Sequence, residues 1–462
     1  MDMTDHVLLG ESDGWGPEPR PVTLSSRDRR QHVYVIGKTG AGKSTLLENM
    51  AIQDIEAGRG VGFIDPHGGS ALALLDHIPK RRTRDVVYFD PSDQKRAISF
   101  NPFARVPFHK RHLVASGVVS AFKSIFPDYF GPRMEYVFYA AVAALLDCEN
   151  VSFLSLQRML SDERYRSWVV RQVKDPVVRA FWRSEFEAYD KRTKAEIVSP
   201  ILNKIGPMLM APPIRNVLGQ VRNRVDCRLL MDRGRIFVAN LSKGKLGADK
   251  ANLLGSFLVS QFQLAAMSRA DVPEGDRPDF FLYVDEFGSF VSDSFASILS
   301  EARKYRLCLT LSHQYLRQLK PGILDAVMGN VGSMVAFRVG HEDAQSLQLA
   351  FGNSYAASAF TSLNNGEVYA KLLANGRDSE PCLVRTHPPR AKKHERSKAI
   401  VRSSRQRHGR HRHKVERTIE GWFGESWIGG ATNRNTRKSA EHATGKDQRS
   451  TRSHKGGGQF GT

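Results

Sequence analysis

Short apolar runs of strand length alternate with longer stretches of helical period along most of this chain. Residues 32–36 (HVYVI) read as a buried strand, and residues 45–57 (TLLENMAIQDIEA) as the helix that follows it. Further strands are expected at 60–64 (GVGFI), 86–89 (VVYF), 235–239 (RIFVA), 280–284 (FFLYV), 307–311 and 334–337, with helices over 252–267 and 294–305. This alternation predicts an α/β fold, a mostly parallel sheet with helices on both faces. A β-hairpin is expected where the pattern ends, 367–373 with 382–385 around Ala374-Asn375-Gly376. From about residue 104 to 231 the period is helical and the residues turn aromatic and arginine-rich, which predicts an inserted all-α domain. Beyond Pro389 apolar positions are few and aperiodic, so 391–462 is expected to be a disordered basic tail. The predicted order is therefore a polar lead-in (1–30, a strand at most), the first part of the core (31–103), the helical insertion (104–231), the second part of the core (232–390) and the tail.

Composition narrows the partners. The 462 residues exceed one ordinary domain, and at 41% hydrophobic they can bury a large core. The net charge of +20 favours nucleic acid or an anionic membrane as partner. Roughly +12 of it lies after Arg390, so the folded part is only modestly basic. Four cysteines without a CxxC pair argue for a reducing compartment and against a structural zinc site. The longest apolar run, residues 137–146, is shorter than the ~20 residues a bilayer span needs. With no signal-peptide pattern at the N-terminus, a soluble cytoplasmic protein is expected.

The strand at 32–36 and the helix at 45–57 bracket GKTGAGKS, residues 37–44, which matches the phosphate-binding P-loop G-x-x-x-x-G-K-[ST]. Gly37, Lys38, Thr39, Gly40, Ala41, Gly42, Lys43, Ser44 and Thr45 are the expected nucleotide-binding residues. Glycines let backbone N–H groups turn inward onto phosphate oxygens, and the helix N-terminus adds positive partial charge. Lys43 is placed on the β- and γ-phosphates of ATP, and Ser44 on Mg²⁺.

Strand 280–284 runs straight into Asp285-Glu286. A buried strand delivers acids to the C-terminal edge of the sheet, where ligands bind in such folds. Asp285 is expected to hold Mg²⁺ and Glu286 to polarise the water that attacks the γ-phosphate. Strand 307–311 ends in Ser312-His313-Gln314, and Gln314 is the favoured group to sense the γ-phosphate or position water. In Glu301-Ala302-Arg303-Lys304-Tyr305-Arg306, three cations make either a solvated helix face or an arginine finger at Arg303 that reaches a neighbouring subunit. Arg338 competes for that role. Asp65 and His67, at the end of the strand 60–64, are candidates for the site, with a structural role the alternative for each. Lys243 and Lys245 either touch phosphate or DNA or belong to a solvated turn.

Taken together, the phrases HVYVIGKTGAGKST, GFIDPHG, LYVDEFGSF, ILSEARKYRL, LSHQY and GNVGSMVAFRVGHEDA resemble the soluble branch of the TraG/TraD-like conjugative coupling proteins, ATPases of the HerA–FtsK superfamily. The resemblance runs through residues 28–389. It implies a RecA-like core in which one strand separates those bearing the two nucleotide motifs. A hexameric ring around DNA and ATP-driven translocation are also implied, with relaxase or secretion-channel proteins as partners and recruitment to the inner membrane through them. It places the phosphate lysine at Lys43, the metal acid at Asp285, the catalytic acid at Glu286, the polar sensor at Gln314 and the trans-acting arginine at Arg303. Two other functions fit the same motifs: a HerA-type translocase in DNA-end processing, and a DNA-binding ATPase that serves as an assembly switch. Membrane-bound members carry N-terminal transmembrane helices, which this sequence lacks, and its basic segment from Ala391 matches no motif of the family.

Overall fold

The computed structural model describes residues 5–12, 19–104, 106–127, 130–291, 295–391 and 393–423. Residues 1–411 form one compact unit and residues 412–462 a second. The strands in chain order are β1 (His6–Ser12), β2 (Arg20–Ser25), β3 (Val33–Ile36), β4 (Gly60–Asp65), β5 (Val86–Phe89), β6 (Arg96–Ile98), β7 (Ile236–Asn240), β8 (Phe280–Val284), β9 (Leu307–His313), β10 (Ser333–Ala336), β11 (Glu367–Lys371), β12 (Leu373–Ala374), β13 (Arg377–Asp378), β14 (Cys382–Thr386) and β15 (Gly409–His411).

Eleven of them make one sheet in the order β2-β1-β14-β11-β10-β3-β9-β8-β4-β7-β5. From β10 to β5 every neighbouring pair is parallel. Every residue of β3, β4, β5, β7, β8 and β9 is buried, because helices cover both faces of a parallel sheet; this is why these strands read as unbroken apolar runs. The α/β fold class is borne out. Strand β9 lies between β3 and β8, where the resemblance put it, with Ile36 opposite His313 and Val284 opposite Leu311. That register brings the ends of three strands to one edge.

The remaining strands of the sheet pair antiparallel. The hairpin of β11 and β14 joins β10, as expected. The N-terminal segment departs from its expected single strand: β1 and β2 form an antiparallel pair, and β1 adds to β14. A register shift between Leu8 and Gly10 breaks the alternation that would have marked β1 in the sequence. A Cβ at Gly10 would stand 2.1 Å from the carbonyl oxygen of Arg385, so the neighbouring strand itself demands glycine there. The helix expected over 294–305 is Phe295–Glu301 followed by a 3₁₀ turn, Ala302–Tyr305.

Between β6 and β7 all regular elements among the described residues are helical. They share a core with the α/β part. Phe122 and Phe153 stack at 5.8 Å, and both rings meet Phe257, on the helix Ala248–Ser268 that follows β7. No helix among the described residues is long and apolar enough to cross a membrane.

The start of the expected tail is corrected. Residues 397–408 form a helix whose Ile400 and Ser404 are fully buried, and β15 pairs with β6. Polar anchors hold this segment. Ser404 Oγ accepts the N–H of Tyr88 at 2.9 Å, and the Arg407 guanidinium donates to the carbonyls of Thr83, Arg84 and Val86. Arg405 pairs with Asp93, and the Ser397 N–H donates to Asp76 at 2.9 Å. A low count of apolar residues therefore misses it. In the second unit the helix Arg412–Phe423 carries an Arg412–Glu416 ion pair of 2.7 Å. The rest of the expected tail, 424–462, lies outside the described residues.

Candidate active site

The P-loop joins the end of β3 to the helix Lys43–Glu56. Its shape needs glycine for both conformation and space. Gly42 has φ 120°, and a Cβ there would come within 2.9 Å of the Phe337 ring. Beyond β10 the chain fastens the loop from the side, with the Lys38 N–H donating to the Arg338 carbonyl at 2.8 Å. The Lys43 ammonium sits inside the curl and donates to the carbonyls of Gly37 (2.6 Å) and Lys38 (3.0 Å). Burial pulls its pKa below the ordinary lysine value, against the opposing charges of Asp285 and Glu286.

β8 delivers the two acids beside this cation. Ser44 Oγ donates to Asp285 Oδ2 at 2.9 Å, and the Ser312 hydroxyl and the Glu286 N–H both donate to Oδ1. Ser44 and Asp285, predicted from separate motifs, are thus brought into contact. Ser312 was missed as a partner of Asp285. It lies inside β9, one residue before the strand's last, where the sequence marks it as no different from a structural serine.

Glu286 bends away from the strand axis in the left-handed region, φ 47°. Three strand ends converge on its carboxylate. Gln314, after β9, donates to Oε1; His67, after β4, has Nε2 3.2 Å from the same oxygen; Lys243, after β7, has Nζ 3.7 Å from Oε2 and donates to Ser289 Oγ at 2.9 Å. Burial disfavours the charged form, but the Gln314 and His67 hydrogen bonds and the charges of His67 and Lys243 outweigh it and hold Glu286 below its ordinary pKa.

Asp65 and His67 face different ways. Asp65 is buried and satisfies the loop after its own strand, accepting from the N–H groups of His67 (2.7 Å) and Ala71 (2.8 Å). His67 is the residue that faces the acid. Asn240 was missed. Its amide donates to Tyr88 Oη at 2.9 Å and its Oδ1 accepts the Ser242 N–H at 3.2 Å. A Cβ at Gly68, φ 88°, would fall 2.5 Å from that Oδ1. Asn240 therefore ties together the loops that carry His67 and Lys243. Lys245 is exposed.

Behind Gln314 the Tyr34 hydroxyl bonds to His313 Nε2, and the His313 ring stacks on Phe287 at 5.1 Å. Burial, with the nearby Lys43 charge, pushes the His313 pKa down to about 3, so it stands neutral beside the site. The sequence offered only the polar triplet Ser312-His313-Gln314 as a signal for this support.

Arg303 and Arg338 lie at opposite edges of the sheet. Arg338 follows β10 at the P-loop edge and donates to Asn365 Oδ1 at 3.2 Å. Arg303 is exposed and precedes β9, whose seven residues span about 20 Å before the P-loop edge is reached. Its charge is felt by buried His32, at the start of β3, whose pKa falls to about 4 chiefly through burial.

Solved proteins share this architecture. The bacterial conjugative coupling protein TrwB, in an unbound form, superposes with TM-score 0.59 at 15% identity, covering 82% of this chain and 88% of its own. The chain shares the fold of TrwB. TrwB in complex with ADP and Mg²⁺ matches the coupling fold equally, with TM-score 0.58, 14% identity and coverage of 81% and 89%. VirB4 of Thermoanaerobacter pseudethanolicus matches with TM-score 0.55 at 13% identity, over 83% of this chain and 96% of that one. In sequence, the type 4 coupling protein DotL of Legionella pneumophila is 22% identical over 341 residues, taking in 61% of this chain and 43% of that protein's length. The resemblance to TraG/TraD-like coupling proteins is thereby borne out. No family model matches the chain.

Proposed function

We propose that this chain is an ATP-hydrolysing DNA translocase of the conjugative coupling type, working in type IV secretion as a hexameric ring around DNA. The observation that carries the reading is the convergence of Lys43, Ser44, Asp285, Glu286 and Gln314 from two P-loop-edge motifs and the strand between them. TrwB, which shares the fold, has been solved in complex with ADP and Mg²⁺, which supports nucleotide and metal as ligands of this chain. Ser44 and Asp285 hold adjacent oxygens, a donor set suited to Mg²⁺, which takes few protein ligands and keeps waters. The ion would neutralise charge on the phosphates. Lys43 binds and orients the β- and γ-phosphates. Glu286 takes a proton from the attacking water, and Gln314, within hydrogen-bond reach of Glu286, orients that water.

Purified protein should hydrolyse ATP, and DNA should raise the rate and support directional movement. ATP turnover with and without single- and double-stranded DNA, followed by strand-displacement or tracking assays, is the test. Slow turnover indifferent to both DNAs would replace the motor by an assembly switch.

Arg303 is the proposed trans-acting arginine. It is exposed on the edge remote from its own P-loop, about the length of β9 away, which supports a role on a neighbour's phosphate rather than its own. Arg303→Ala should leave nucleotide affinity intact and lower turnover by about 10³-fold. Rings mixed with Lys43→Ala subunits should regain activity, because some interfaces then join an intact P-loop to an intact arginine. Mixed rings that stay inactive would move the role to Arg338 or to a position in cis.

A further inference from the structure

We infer that the face formed by the helix Ser397–His408 and the β6–β15 pair is a binding site for the phosphate backbone of nucleic acid, separate from the ATP site. The two elements wall an open cavity of about 560 Å³. Lys398, Arg402 and Gln406 line it from the helix at successive i, i+4 positions, so they form one stripe. Lys95, Arg96 and His411 face them from the strand pair.

These charges are not spent within the fold. Among the described residues Lys95, Lys398 and Arg402 make no ion pair. Asp93, the acid nearest in sequence to Lys95, is taken by Arg405 and by the Lys95 N–H at 2.8 Å. Arg96 holds the walls together, donating to the Gly409 carbonyl at 3.1 Å and approaching His411 Nε2 at 2.7 Å. Three like charges around one hollow repel one another, and an anion placed among them removes that cost.

The stripe is also held rigid. Ile400 and Ser404, on the opposite side of the helix, are fully buried, and Arg407 is fastened to three carbonyls. An anion therefore meets cations whose backbone is already ordered.

The lining selects the ligand class. Its one ring, the His411 imidazole, is engaged by the Arg96 guanidinium at 2.7 Å, and its apolar part is Leu72 and Val401. Cations dominate the lining, which suits phosphates, and phosphate contacts carry no sequence information. The inference rests on the reading of the chain as a DNA-acting ATPase in preferring nucleic acid to an acidic protein.

The test compares the full chain with a Lys95→Gln, Lys398→Gln, Arg402→Gln triple variant. Affinity is measured for duplex and single-stranded DNA of mixed sequence across a salt series, with polyglutamate as a second polyanion. Each lost phosphate contact flattens log K against log[salt] by about 0.9 on duplex or 0.7 on a single strand. A slope shallower by about 2 to 3, with basal ATP turnover unchanged, is the expected result. Equal slopes, an unmodified protein that binds neither DNA, or a loss confined to polyglutamate would each overturn the site. The motor reading fails separately: DNA that binds through this face but leaves ATP turnover unchanged removes translocation and keeps the site.

Discussion

Lys43→Ala should bring ATP turnover down by at least about 10²–10³-fold, to background, and weaken nucleotide binding as well. The ammonium is 7% exposed and already inside the loop, held by two backbone carbonyls. It needs no reorganisation to meet developing charge on the γ-phosphate, and in a water-poor site such a cation counts for more than in solvent. Alanine leaves the carbonyls of Gly37 and Lys38 facing the phosphates with no cation between them, which adds repulsion to the loss. Steady-state turnover and equilibrium binding of a fluorescent ATP analogue measure both effects. A variant within tenfold of the unmodified rate would place hydrolysis outside this loop.

Glu286→Gln should separate binding from chemistry. The side chain is nearly isosteric, so the loop after β8 keeps its shape, but the proposed acceptor of the water's proton is gone. Turnover should fall about 10²–10⁴-fold with nucleotide affinity preserved. The hydrogen bonds that hold Glu286 below its ordinary pKa also keep it ionised to lower pH than an ordinary glutamate. The acid limb of kcat/KM attributable to Glu286 therefore lies below the ordinary glutamate value, and it should be absent from the residual activity of the Gln variant. Near-unmodified turnover, or an acid limb shared by both proteins, would remove Glu286 as the base.

Much of this site could be read in advance because its parts are local. A P-loop is one contiguous segment whose strand, glycines and helix must occur in that order, and Asp285-Glu286 announce themselves as acids at the end of a fully apolar strand. Ser312, Asn240 and Tyr34 left no comparable mark. Each acts on a residue far away in sequence, and a polar residue at a strand end looks the same whether it holds an acid or meets water. Asp65 and His67 show the limit well. Two residues apart on one turn, they differ only in direction: one caps its own loop, the other turns to Glu286.

By itself the sequence determined the parallel α/β core, the nucleotide-motif residues and the helical character of the segment between β6 and β7, because apolar period and glycine placement act over a few residues. Only the tertiary structure decided the rest. Strand order set β9 between β3 and β8 and so brought Gln314 to Glu286. Strand direction put Arg303 about 20 Å from the P-loop edge. Pairing with β14 made a sheet strand of the N-terminal segment. Residues 397–411, polar enough to read as unstructured, are folded by side-chain bonds to backbone groups of β5 and the turn before it. Such bonds depend on which groups the fold brings near, and no periodicity along the chain records them.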